Sequence, residues 1–160
     1  MDLRWTGLFA LALVANAPQP GRVLIGRYGG WAAFREGATC FAVALPRERA
    51  GGAEPPFLAF TRRVDAAVPV ALFVRLSHPF ESRAPVTLLA AGRTFVLRAN
   101  SDGAFADSPR EELRILAAVR AANRLEVRAT GARGRAFGDV YDLAGAPSAI
   151  DAAILACGTR

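Results

Sequence analysis

Cys40 and Cys157 are the two cysteines of a 160-residue chain. Outside the reducing cytosol, such a pair is expected to close one disulfide; inside it, they would be two separate buried thiols. The single histidine, His78, directly follows Ser77 and precedes Pro79. A hydroxyl nucleophile usually needs a histidine base, yet neighbours in an extended segment point to opposite faces. His78 therefore reads as a turn residue rather than a base. Zinc would need several Cys, His or carboxylate ligands at close spacing, and no such run exists. Two carboxylate pairs remain, Glu111-Glu112 and Asp139/Asp142. The first belongs to a helix start, where negative charge complements the dipole. In the second, Asp139 shares one strand face with Tyr141 and Leu143 and is placed to brace Arg133 across a turn. The glycines follow no phosphate-loop order. No catalytic residue, metal site or cofactor is expected.

The net charge is +6, and every basic residue is an arginine. Only Arg62-Arg63 and the Arg133/Arg135 pair cluster, each with an acidic neighbour in sequence, Asp65 and Asp139. Arg62, Arg63 and Arg133 are the candidate contact residues. A nucleic-acid binder would concentrate charge on one element or carry a known module, so no nucleic-acid partner is expected. Attraction to an anionic cell surface follows from net charge alone.

The chain opens with Arg4, an apolar run from Trp5 to Val14, and Ala15-Asn16-Ala17. That order is the pattern of a secretory signal peptide over residues 1–17. A buried N-terminal helix is the competing reading. The run is shorter than the roughly 20 apolar residues a spanning helix needs, so no transmembrane span is expected. Pro18, Pro20 and Gly21 then predict a flexible lead-in over 18–29, leaving 30–160 as one domain.

Within that domain, Thr39–Leu45, Phe57–Thr61, Pro69–Leu76, Val86–Ala90, Thr94–Arg98, Leu125–Ala129 and Arg135–Leu143 read as strands. Ala91-Gly92-Arg93 and Thr130–Gly134 read as turns. Ser108-Pro109-Arg110-Glu111 is a capping box with proline at the first helical position, followed by Leu113, Leu116, Ala117 and Arg120 at helical spacing. A second short helix is expected from Pro147 or Ser148 to Cys157. The expected fold is mainly β, an antiparallel β-sandwich or barrel-like single domain with two short α-helices. Trp31, Phe34, Phe41, Phe57, Phe60 and Phe80 are expected in its interior.

The order of motifs resembles the invasion-associated locus B family of exported bacterial proteins, over roughly Gly30 to Cys157. The resemblance lies in Gly30-Trp31, Cys40-Phe41-Ala42, Phe57–Arg62, His78-Pro79-Phe80, Ala104-Phe105 and Gly131–Gly134. It continues through Asp139-Val140-Tyr141-Asp142-Leu143-Ala144-Gly145 to the terminal Cys157. Phe41, His78, Phe105 and Gly131 replace the family's usual Tyr, Tyr, Trp and Ser. The resemblance implies a periplasmic or outer-membrane-associated β domain linked to host-cell invasion, with no established enzymatic chemistry. The expected function is thus a non-enzymatic, exported cell-envelope domain acting by surface contact, with an envelope or host-surface protein or glycan as partner. An envelope hydrolase or its inhibitor, and a structural periplasmic protein, are the alternatives.

Overall fold

A computed structural model of the chain describes residues 21–48, 55–66, 70–81 and 83–158. The segment expected as a signal peptide lies outside the described residues. Among the described residues no helix is long and apolar enough to cross a membrane.

The described residues are mainly β, with ten antiparallel strands and two helices. The strands are β1 (Val23–Tyr28), β2 (Trp31–Glu36), β3 (Thr39–Ala44), β4 (Phe57–Arg63) and β5 (Ala71–Arg75). Then come β6 (Val86–Ala90), β7 (Arg93–Asn100), β8 (Gly103–Phe105), β9 (Arg124–Thr130) and β10 (Ala136–Asp142). Helix α1 spans Pro109–Arg120 and α2 spans Ala146–Ala156. All strands belong to one sheet in the order β1-β2-β3-β4-β5-β8-β7-β6-β9-β10, which does not close into a barrel.

The sheet turns a corner in β7. Residues Arg93–Leu97 pair with β6, whereas Arg98–Asn100 pair with β8. The two ends of the sheet thereby return towards each other. The Trp31 indole donates to the Asp142 carbonyl at 2.8 Å, and the Arg47 amide donates to the Val140 carbonyl at 2.7 Å. One core results, with Leu58, Phe60, Leu72 and Val74 from one half and Leu88, Phe95, Leu125 and Val127 from the other. Two turns nest where the ends meet. Gly29 (φ +59°) faces the Ala144 carbonyl, and a Cβ on Gly145 (φ +88°) would collide with the Tyr28 carbonyl. Both positions need a residue that tolerates positive φ and close backbone approach.

The expected strands all appear in the described residues, shifted by at most a few positions. Three were not expected: β1, β2 and β8. The lead-in placed at 18–29 is corrected from Val23 onward, because Val23–Tyr28 forms β1 on β2 through the Gly29-Gly30 turn. The breakers end at Gly21, and Val23-Leu24-Ile25 is β-prone. Strand β8 is only three residues long, too short for periodicity to reveal.

Helix α1 begins as its capping residues dictate: the Glu111 amide donates to the Ser108 side chain at 3.3 Å, with Pro109 at the helix start. Its inner face buries Ile115, Leu116 and Val119. Glu112 is buried with them, and its carboxylate accepts the Leu72 amide of β5 at 2.9 Å. Short β8 pairs only with Phe73 and Val74 on that edge of β5, so the carboxylate meets a donor no strand reaches.

Helix α2 lies on the Cys40 face of β1–β4. Ala146, Ala149, Ile150 and Ala153 pack against a face built from Ala33, Cys40, Ala42 and Ala44. Arg35 donates to the Ala156 carbonyl at 3.3 Å, matching a cation to the helix C-terminus. Cys157, the residue after α2, is disulfide-bonded to Cys40 with a Cα–Cα distance of 5.7 Å.

Two outcomes follow. The bridge spans 117 residues, so replacing both cysteines by alanine should lower stability by about 2–4 kcal/mol and the melting point by roughly 5–15 °C. An unchanged melting curve would show that the bridge is dispensable. Burial also raises the Glu112 carboxyl pKa to about 7. Between about pH 4.5 and 7 the folded state then holds a proton that the unfolded chain releases, so stability falls as pH rises through this window. Glu112→Gln should flatten that slope and stabilise the protein above pH 8 by about 1–3 kcal/mol, read from urea midpoints at pH 5 and pH 8.

Candidate functional site

The groups that could do chemistry meet where β5 ends. Leu76 leads into a short loop, Ser77–Glu81, stitched to the β9–β10 hairpin by an isolated Phe80–Gly131 bridge. Glu81 donates to the Thr130 carbonyl at 2.8 Å and Ala132 to the Pro79 carbonyl at 3.1 Å. The hairpin closes on itself through Gly131, whose amide donates to the Arg135 carbonyl at 2.8 Å. The loop is therefore held by backbone bonds on both sides.

His78 stands exposed on this loop with its ring 5.0 Å from that of Phe137 on β10. Two open depressions flank the pair. One, of about 530 Å³, is lined by Pro79, Ala132 and Phe137 together with Arg133 and Arg135. The other, of about 440 Å³, runs past Ser77, Asp139 and Arg124. The Ser77 hydroxyl lies 2.8 Å from His78 Nδ1, a contact that strand alternation did not predict, because these residues sit in a bend beyond β5. Asp139 does not orient the imidazole. It is buried, and its carboxylate accepts the Ser77 amide at 2.9 Å.

The expected bracing of Arg133 by Asp139 is accordingly corrected. Asp139 faces the core side of β10 with Tyr141, while Arg133 is exposed in the turn. Asp142 points the opposite way and pairs with Arg47, which holds its carboxyl below the usual range. The Asp139/Asp142 pair is thus split across the strand. Tyr141 is buried, and burial first, then the Asp139 charge, raises its phenol pKa. Among the described residues no group of three or more His, Cys, Asp and Glu could hold a metal ion.

The candidate contact arginines are not brought together. Arg62 and Arg63 end β4, where Arg62 donates to the Ala66 carbonyl at 3.2 Å and Arg63 forks onto Asp65 at 3.3 Å. Arg133 sits in the β9–β10 turn beside His78.

A larger feature lies on the other side of the sheet, away from α2. Phe34, Phe41 and Phe57, expected in the interior, are on this outer face and partly exposed, whereas Trp31 and Phe60 are core and Phe80 packs at its margin. Strand register sets the rows. Leu24, Phe34, Phe41, Thr61 and Ala71 are successive cross-strand partners, as are Ala32, Val43, Ala59, Phe73 and Phe105. Phe34 and Phe41 stack at 5.6 Å, and Phe57 lies 5.7 Å from Phe73. Arg22 lies over both Phe34 and Phe41, at 5.9 and 5.2 Å, and Arg75 lies 5.0 Å over Phe57. Five of the ten phenylalanines therefore furnish an outer aromatic face trimmed with guanidinium groups. Alternation could not reveal it, because both faces of β3 are apolar. The usable signal was size: Cys40, Ala42 and Ala44 alternate with Phe41 and Val43, and only the small side lets a helix approach.

No family model, curated protein or solved structure matches the chain.

Asp139→Ala would leave the Ser77 amide without its acceptor and should cost about 1–3 kcal/mol of stability. Asp139→Asn, which keeps an acceptor oxygen, should cost less. Urea unfolding of the two variants measures the difference, and equal midpoints would show that the bond is not structural.

Proposed function

We propose that the protein is an exported cell-envelope domain that acts by surface contact, and that its contact surface is the outer face of β1–β5. The outer aromatic face is the observation that carries this reading. Buried aromatic side chains stabilise by leaving water, so a monomer gains nothing from leaving five of them partly wet. The signal-like opening, the Cys40–Cys157 bridge and the resemblance to the invasion-associated locus B family support a location outside the cytosol, periplasmic or at the outer membrane. The link to host-cell invasion comes from that resemblance alone and is analogy.

A hydrolase reading has one supporting observation, the Ser77–His78 contact beside an open depression. Asp139 is committed to a backbone amide, so among the described residues no carboxylate orients His78 as nucleophile activation would use. The contact reading is therefore preferred.

The test is fractionation of cells exporting the chain. Phe34→Ser with Phe41→Ser alters two partly exposed rings outside the core and should leave the melting curve close to that of the parent. The parent should stay with envelope material, and the double variant should be released several-fold more readily into the soluble fraction. Identical distributions would overturn the proposal.

A further inference from the structure

We infer that the outer face of β1–β5 docks on an anionic lipid surface, with its phenylalanines against acyl chains and its arginines against headgroup phosphates. This rests on the contact reading above and gives that contact a chemistry.

The side chains of the face select the occupant. Its large members are Leu24, Phe34, Phe41, Val43, Phe57 and Phe73, none of which carries a hydrogen-bonding group. Thr61 and Thr39 are the polar neutral residues on this face. A glycan is held by directed hydrogen bonds, and this surface supplies few. Stacked nucleic-acid bases need free ring faces. Here Phe34 and Phe41 already stack on each other beneath Arg22, and Arg75 lies over Phe57. What the rings still offer is apolar edge, which suits hydrocarbon.

Charge points the same way. Arg22 and Arg75 sit on the apolar patch itself, Arg22 also forking onto Glu36 at 3.3 Å, and the whole chain carries +6. Guanidinium groups beside an apolar surface match the boundary where phosphates meet acyl chains. A second copy would carry the same +6, and this like charge disfavours self-association. The patch also reaches the sheet edge, where Val23 is 62% and Leu24 45% exposed.

The experiment is co-sedimentation of the protein, as recovered from exporting cells, with vesicles of phosphatidylglycerol and phosphatidylcholine and with vesicles of phosphatidylcholine alone. Binding should require phosphatidylglycerol, weaken with salt, and fall about tenfold or more in the Phe34→Ser, Phe41→Ser variant. Arg22→Gln should weaken it less than the double variant. Equal binding of parent and double variant to the anionic vesicles would overturn the inference, as would equal binding to neutral vesicles. Sedimentation equilibrium supplies the competing outcome: a dimer of the parent that the double variant dissolves would assign the face to a second copy and overturn the lipid assignment. If the double variant leaves the envelope fraction yet the parent ignores vesicles, surface contact stands and its lipid chemistry falls.

Discussion

The close approach of α2 to the first half of the sheet is the constraint on which the rest of the structure depends. Ala146, Ala149 and Ala153 meet Ala33, Ala42 and Ala44, and Cys40–Cys157 fixes the contact covalently. Small side chains on both partners allow a short helix-to-sheet distance and a dense interface. A bulky residue on either surface would push the helix away and put strain on the bridge. The same choice decides the fate of the large side chains. Once β2 and β3 turn their small residues inward, alternation places Phe34, Phe41 and Val43 outward. The aromatic outer face is the geometric consequence of the helix contact.

Closure of the sheet's ends is handled by individual bonds rather than by a ladder. Between β10 and the first strands there are the Trp31–Asp142 bond, the Arg47–Val140 bond and the Arg47–Asp142 ion pair. The ion pair is exposed on both sides and contributes little by itself. The buried indole bond and the nested glycine turns define the junction better. Among the described residues β1 is the end strand of the sheet, and its exposed Val23 and Leu24 are continuous with the aromatic face.

Much of the architecture was legible from local signals. The capping serine and proline of α1, the breakers around each hairpin and the paired cysteines each act over a few residues or through one covalent constraint, and each had the predicted result. Three features were not legible. β1 was hidden behind a proline-rich approach, and its partner strand is recognisable only once the Gly29-Gly30 turn is known. The side of β3 that faces the core depends on α2, which lies over a hundred residues later. The bend that joins Ser77 to His78 depends on the β9–β10 hairpin. In each case the deciding contact is distant in sequence, and period-two alternation gives two faces without saying which is covered.

Two of the acidic residues that suggested chemistry turn out to serve backbone amides in β5 and just beyond it. Glu112 accepts the Leu72 amide, and Asp139 accepts the Ser77 amide. These donors lie before and after Phe73 and Val74, the two residues that β8 pairs with on β5. A strand with so short a neighbour leaves amides that must find acceptors, because a buried unpaired donor is costly. Each carboxylate meets one of them, and each is buried in doing so. Both acids are thereby withdrawn from the surface, while the opposite outer face carries phenylalanines and arginines, with Glu36 paired to Arg22 among them. Apolar rings beside guanidinium groups are the physical basis for the proposal that this face is a contact surface.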